Sequence, residues 1–129
     1  MDPISLLLEE GVECWNQWRN NNPHLPCSLE GEYLVGGYFF EGNFSGLNLR
    51  RIDLRRACLI GADFRWADLR GADLRGAYLD EASFYGANLT DAKFACTSLA
   101  RTDLRRVHWL GKQVSDIQAE QLSLNTSFS

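Results

Sequence analysis

A large apolar residue recurs at every fifth position from Leu29 to Trp109, giving 17 consecutive centres without a polar interruption. The series runs through Leu34, Phe39, Phe44, Leu49, Leu54, Leu59, Phe64, Leu69 and Leu74. It continues through Leu79, Phe84, Leu89, Phe94, Leu99 and Leu104. A period of five suits neither regular element. On an α-helix, at ~100° per residue, each step advances ~140° and smears the series around the cylinder. In a strand the odd spacing sends alternate centres to opposite faces. The chain must therefore turn a corner within every pentad, which is how a solenoid is built.

Two companion positions agree. Ala57, Ala62, Ala67, Ala72, Ala77, Ala82, Ala87 and Ala92 each lie two residues before a centre, so both positions face one narrow interior. Gly31, Gly36, Gly46, Gly61, Gly71, Gly76, Gly86 and Gly111 lie two residues after one, where a turn needs a permissive backbone. A buried centre contributes roughly 1.5–3 kcal/mol. Ordering each backbone residue costs about 1–2 kcal/mol. No five-residue unit stands alone, and the units must stack, about 4.8 Å per coil, into a rod only ~20 Å long.

The segments Ala62-Asp63-Phe64-Arg65-Trp66, Ala67-Asp68-Leu69-Arg70-Gly71 and Ala72-Asp73-Leu74-Arg75-Gly76 resemble the pentapeptide-repeat family, whose pattern is A(D/N)LXX. The resemblance covers residues 27–111. It implies an all-β solenoid, a right-handed quadrilateral β-helix with four pentads per coil and about four coils. Phe44, Phe64 and Phe84, spaced by 20, fit stacked aromatics on one side. Glu32, Gly37, Gly42 and Leu47 replace the small alanine early, and Thr97, Thr102 and Val107 late, as terminal coils commonly do.

At 129 residues the chain has room for one domain. Residues 1–26 read as a capping helix and linker, 27–111 as the β-helix, and 112–129 as a C-terminal cap and tail. Asp2 and Pro3 suit an N-cap and first helical residue. Ile4, Leu7, Leu8, Val12, Trp15 and Trp18 follow at helical spacing, and Asn20 to Pro23 ends the helix. Its apolar stripe is expected to cover the open end of the solenoid. Ser115 with Gln118 reads as a capping box, from which a second short helix with Ile117 and Leu122 is expected. The tail from Leu124 through Phe128 could instead meet a second copy, and the resemblance allows a monomer or a homodimer formed near the C-terminus.

Enzymatic chemistry finds little support. Cys14, Cys27, Cys58 and Cys96 include no CxxC pair, and only His24 and His108 could join them at a metal, so no metal or cofactor is expected. Cys58 and Cys96 lie nearly two coils apart, about 9–10 Å, beyond the ~7 Å reach of a disulfide. A Cys14–Cys27 bond stays open. Asp53, Asp68 and Asp73 each precede a centre and point outwards as solvated charge rather than as an acid–base pair. No nucleophile–base pair and no enclosed substrate pocket is expected on the convex outside of a short rod. With no basic leader and no apolar run long enough to span a membrane, the expected location is the cytoplasm.

Two surfaces could bind a partner. Arg50, Arg51 and Arg70 fall along one side or its corner, and Arg55, Arg56 and Arg75 along the next, forming a basic edge. The simpler account of these arginines is solubility together with cross-coil pairing to the aspartates, each exposed pair contributing little. Nucleic acid fits poorly, because the chain carries −4 overall and no aromatic residues interleave the edge. Tyr38, Phe40, Ile60 and Tyr78 form an apolar cluster on another side, either an interface or a surface shielded by the loop after the helix. Trp66 and Tyr85 read as isolated. The expected function is a non-enzymatic interaction or scaffolding module for a protein partner. The resemblance supplies the alternative, a DNA mimic that inhibits or protects DNA gyrase. Residues 27–112 hold 12 basic and 11 acidic side chains, a poor match to the ordered negative charge of a mimic.

Overall fold

The computed structural model describes residues 2–109. Every fifth residue from Ser28 to Asn88 makes a parallel β-bridge to the residue 20 positions further on. The bridges sort into four ladders. The first face carries Ser28, Asn48, Asp68, Asn88 and His108, and the second carries Tyr33, Asp53, Asp73 and Lys93. The third carries Tyr38, Cys58, Tyr78 and Ser98, and the fourth Asn43, Asp63, Ser83 and Asp103. Four ladders within a 20-residue repeat are the sides of a quadrilateral β-helix. Each rung is one bridge residue rather than an extended strand, because a corner interrupts every side two residues past its centre.

That corner is left-handed with or without glycine. Gly71 has φ 71°, yet Arg51 has φ 56° and Trp66 φ 64°. The glycine series in the sequence therefore marks only part of the corners, the rest being imposed by coil stacking on residues that resist the conformation.

Backbone hydrogen bonding explains the residue that precedes each centre. In the pentad around Leu69, the N–H groups of Leu69 and Gly71 donate to Asn88 and Thr90 of the next coil, at 2.9 and 3.0 Å. Ala72 N–H closes the turn onto Leu69, and Asp73 N–H donates to Ile52 of the previous coil. Only the N–H of Arg70 is left over, and it donates to Asp68 Oδ1 at 3.3 Å. Asn or Asp before a centre thus satisfies the fifth N–H of its own pentad. Asn48, Asp53, Asp63, Asp73, Asn88 and Asp103 do the same.

All centres from Leu29 to Leu104 are buried, and Trp109 packs partly against them. Phe44, Phe64 and Phe84 stack down the fourth face, with centroid separations of 5.4 and 4.8 Å and interplanar angles of 14° and 5°. Leu47 and Ile52 are large residues in the small inner position, and both are buried. Gly37 and Gly42 have a steric reason, since a β-carbon there would stand 2.3 Å from the Phe39 ring and 2.5 Å from the Phe44 ring. The hydroxyls of Thr97 and Thr102 are buried but donate to the carbonyls of Phe94 and Leu79, each at 2.9 Å.

The N-terminal segment differs from one continuous helix. α1, Pro3–Ser5, is capped by Asp2, whose Oδ1 accepts from Ser5 N–H at 2.9 Å. It widens into a π-helical stretch, Leu6–Glu10, and breaks at Gly11 (φ 95°) before α2, Val12–Asn21. Leu7 and Trp15 are buried while Leu8 is 58% exposed, so Leu8 does not belong to the covering stripe. The wider turn rotates it off the apolar face.

The face α2 turns to the first coil is as much polar as apolar. Asn16 donates to the Glu41 carbonyl at 3.0 Å and accepts from Asn43 N–H at 2.7 Å. Trp15 Nε1 donates to the Asn43 carbonyl at 2.8 Å, and Arg19 donates to the Ser45 carbonyl. Helical side chains stand in for the coil that would otherwise bond this edge. Arg19 is buried, and Cys27 nearby has its thiol pKa pushed up by burial, with Arg19 opposing the shift. All four cysteines are free, including Cys14 and Cys27. The expected C-terminal cap and tail, with Gly111, lie outside the described residues.

Candidate functional site

The third face departs from the pentad rule. Where the other ladders hold mainly Asn and Asp, it places Tyr38, Cys58 and Tyr78 in successive coils. Among the described residues no side chain accepts from the N–H groups of Phe40, Ile60 or Asp80, the ones an Asn or Asp would have satisfied. In their place the face gains apolar surface. Tyr38 is 68% exposed and Tyr78 53%, with Phe40 exposed and Ile60 half-buried beside them. The rings of Tyr38 and Phe40 stack at a centroid distance of 6.3 Å. The structure therefore gathers the four apolar candidates on one side and leaves them uncovered by the loop after α2.

Sequence reading missed two neighbours. Tyr33, on the adjoining second face, is 69% exposed and extends the aromatic surface around the corner. Cys58 lies between the two tyrosines in the ladder. The deviation from Asn/Asp in three successive coils of the third ladder was the signal that could have found Cys58, and the same deviation before Leu34 the one for Tyr33.

The six arginine candidates occupy the first and second faces and their corners. Most are committed to carboxylates. Arg55, Arg70 and Arg75 each form a two-toothed fork with the aspartate two residues earlier, for example Arg70 to both oxygens of Asp68 at 2.9 and 2.6 Å. Arg50 and Arg51 both reach Glu30. Pairing runs chiefly within a pentad, not between coils as the sequence led us to expect, because an arginine two residues after its aspartate lies on the same rung and reaches both carboxylate oxygens. Contacts to aspartates of the next coil are longer, 3.7 Å for Arg50–Asp68 and 3.8 Å for Arg55–Asp73. Arg56 makes no ion pair among the described residues and stands at the corner between the second and third faces, next to the aromatic surface.

These forks set the protonation of the carboxylates. The hydrogen bonds from Arg55, Arg70 and Arg105 hold Asp53, Asp68 and Asp103 below the ordinary carboxylate range. For Asp73 burial is the largest single influence and acts upwards, but the Arg75 side-chain and backbone donors, with the positive charges of Arg75 and Lys93, lower it on balance. Acids held by arginines in this way are poor proton donors near neutrality. Among the described residues there is no cluster of three or more metal-ligating side chains and no helix long and apolar enough to cross a membrane.

Trp66 and Tyr85 are not isolated. Their rings meet edge to face at 5.3 Å, and the Arg105 guanidinium lies 5.3 Å from the centre of the Tyr85 ring. They border a groove across the fourth face.

Four parallel ladders around a stacked apolar interior define a repeat protein of the β-helical solenoid class. The sequence profile of pentapeptide repeats matches residues 38–76 and 67–106 in eight copies, and the chain belongs to that family. A pentapeptide repeat protein from the thylakoid lumen of Arabidopsis thaliana is 25% identical, over 65% of this chain and 63% of that one, with a TM-score of 0.47. HetL of Nostoc sp. strain PCC 7120, a pentapeptide repeat protein involved in heterocyst differentiation regulation, is 22% identical over 69% of this chain and 58% of its own, with a TM-score of 0.46. QnrB1, a plasmid-mediated fluoroquinolone resistance protein, is 18% identical over 70% and 61%, with a TM-score of 0.25. The chain thus spans about three-fifths of these solved structures. No curated protein matches it.

Proposed function

We propose that this chain is a non-enzymatic interaction module, a right-handed β-helical rod capped by α2, that docks a protein partner on its third face. Tyr38, Phe40, Ile60 and Tyr78 supply the contact and Arg56 its charged rim. One observation carries the reading: three successive coils give up the Asn or Asp that would satisfy a backbone N–H and present Tyr, Cys and Tyr instead. Departures from local structural preference concentrate where function demands them. Exposed tyrosines flanked by an uncommitted arginine have the composition of interface hot spots. The arginines in forks present little free charge, so the basic edge acts mainly through Arg56. The proposed setting is the cytoplasm, where four free thiols stay reduced.

The DNA-mimic alternative, directed at gyrase, needs ordered unpaired acid. Asp53, Asp63, Asp68, Asp73 and Asp103 are each bound by an arginine of their own pentad. A supercoiling assay with gyrase discriminates the two readings: the docking module leaves the reaction unchanged, whereas a mimic inhibits it or protects it from a quinolone. The docking reading itself is tested by capture of partners from lysate, comparing the natural chain with a Tyr38→Asn/Tyr78→Asn variant.

A further inference from the structure

The fourth face carries a second, chemically different surface. Ser83 is the short residue of its ladder, between the Asp63–Arg65 fork one coil before and the Asp103–Arg105 fork one coil after. A groove of about 520 Å³ opens there, within the range of small-molecule sites. Its sides are Glu81 at one corner and Trp66 at the other. The Trp66 ring lies over Gly86, its nearest carbon 2.3 Å from where a β-carbon would be, so the bare glycine lets the indole lie down against the rod. Trp66 remains 63% exposed, and Tyr85 stands nearly perpendicular to it, at 81°.

Charge decides what such a groove accepts. A cation is disfavoured because Arg65 and Arg105 line the site and the Arg105 guanidinium already occupies the Tyr85 ring. An anion meets Asp63, Asp103 and Glu81. Every acid is matched, the two aspartates by their forks and Glu81 by Arg101 at 3.6 Å. Each forked guanidinium uses two of its nitrogens on its own carboxylate and keeps further N–H donors, while each carboxylate keeps acceptor capacity. Donors and acceptors therefore alternate along a neutral surface beside a flat, exposed indole.

We propose that the groove between the Asp63–Arg65 and Asp103–Arg105 forks binds a neutral oligosaccharide, one sugar ring lying on Trp66 and its hydroxyls bridging the forks. Hydroxyls both donate and accept, which suits paired Arg and Asp better than any ion does. The C–H face of a sugar ring suits the indole. The site is on a different side from the protein-docking face and stands or falls separately from it.

The test is tryptophan fluorescence and saturation-transfer NMR titration of the full chain with cellohexaose, maltohexaose, laminarihexaose, mannohexaose and chitohexaose. Hexalysine and inorganic phosphate are the ionic probes. At least one sugar is expected to bind with Kd of about 1 mM or tighter. Trp66→Gly, which installs the residue found at seven other left-handed coil corners among the described residues, is expected to weaken binding at least about tenfold, a difference of about 1.4 kcal/mol, while the protein stays folded. Ser83→Asp, which fills the groove with an unmatched carboxylate yet retains an acceptor for Tyr85 N–H, is expected to do likewise. The proposal is overturned by no sugar binding at millimolar concentration, by binding that both variants leave intact, or by preference for hexalysine or phosphate.

Discussion

Trp66 and Gly86 occupy equivalent corners of successive coils, and the indole of the first stands where a side chain of the second would have to be. Gly46 is a matched control, left-handed at φ 68° with nothing within 4 Å of its hypothetical β-carbon. Gly46→Ala should cost about 1–2 kcal/mol from backbone strain alone. Gly86→Ala should cost more, by a further ~1–3 kcal/mol of overpacking unless Trp66 swings away. Chemical denaturation of both variants, with Trp66 emission followed in parallel, measures the difference. Equal losses and unchanged emission would show that the indole is not seated there.

The polar seal between α2 and the first coil predicts a loss from Asn16→Leu. Its removal leaves Asn43 N–H and the Glu41 carbonyl without their partners, at about 0.5–1.5 kcal/mol for each hydrogen bond lost. Asn20→Ala, on the exposed side of the same helix, should stay within about 0.5 kcal/mol. Thermal melts of the two give the comparison, and equal melting temperatures would remove α2 from the edge.

Acid should loosen the rod in a defined window. Asp53, Asp68, Asp73 and Asp103 have folded-state pKa values lowered from the ordinary 3.8. A lowered carboxylate contributes stability that is fully present above its unfolded pKa and is lost as pH falls through the folded one. Stability is therefore expected to be flat from neutrality down to about pH 5 and to drop below about pH 4. Asp68→Asn keeps an acceptor for Arg70 N–H but loses the ionised fork, so its acid limb should be shallower. An unchanged limb would show that these forks carry no linkage. Stability–pH curves for both proteins decide it.

How much was legible in the sequence follows from which residues are constrained by the period. The centres, the inner alanines and the Phe44–Phe64–Phe84 stack were readable because each is forced by a 20-residue coil. Corners at Arg51, Arg56 or Trp66 carry no glycine and left no mark, since stacking rather than intrinsic preference sets their backbone. The break at Gly11 and exposure of Leu8 were invisible to a helical stripe that continues in phase across them. The apolar cluster Tyr38, Phe40, Ile60 and Tyr78 was legible by counting in fives, but the direction of arginine pairing was not: pairs between coils were expected, whereas Arg55, Arg65, Arg70, Arg75 and Arg105 each bind the aspartate of their own pentad. That pairing depends on a side-chain direction which the five-residue period leaves unspecified.

Arg50, Arg55, Arg70 and Arg75 changed together to alanine should leave unfolding cooperative. Exposed pairs contribute about 0–1 kcal/mol each, and Asn48, Asp53, Asp68 and Asp73 would still accept the four backbone N–H groups. A broad or vanished transition by circular dichroism would contradict this reading of the forks.

The most direct measurement is made on Tyr38→Asn/Tyr78→Asn, which returns the family's residue to the third ladder while stripping its aromatic surface. Each asparagine can accept the stranded N–H of Phe40 or Asp80, worth about 0.5–1.5 kcal/mol for a hydrogen bond. The melting temperature should hold or rise, and a partner captured by the natural chain and by the four-arginine variant should be lost. A partner retained by the double asparagine variant would contradict the third face as the docking surface.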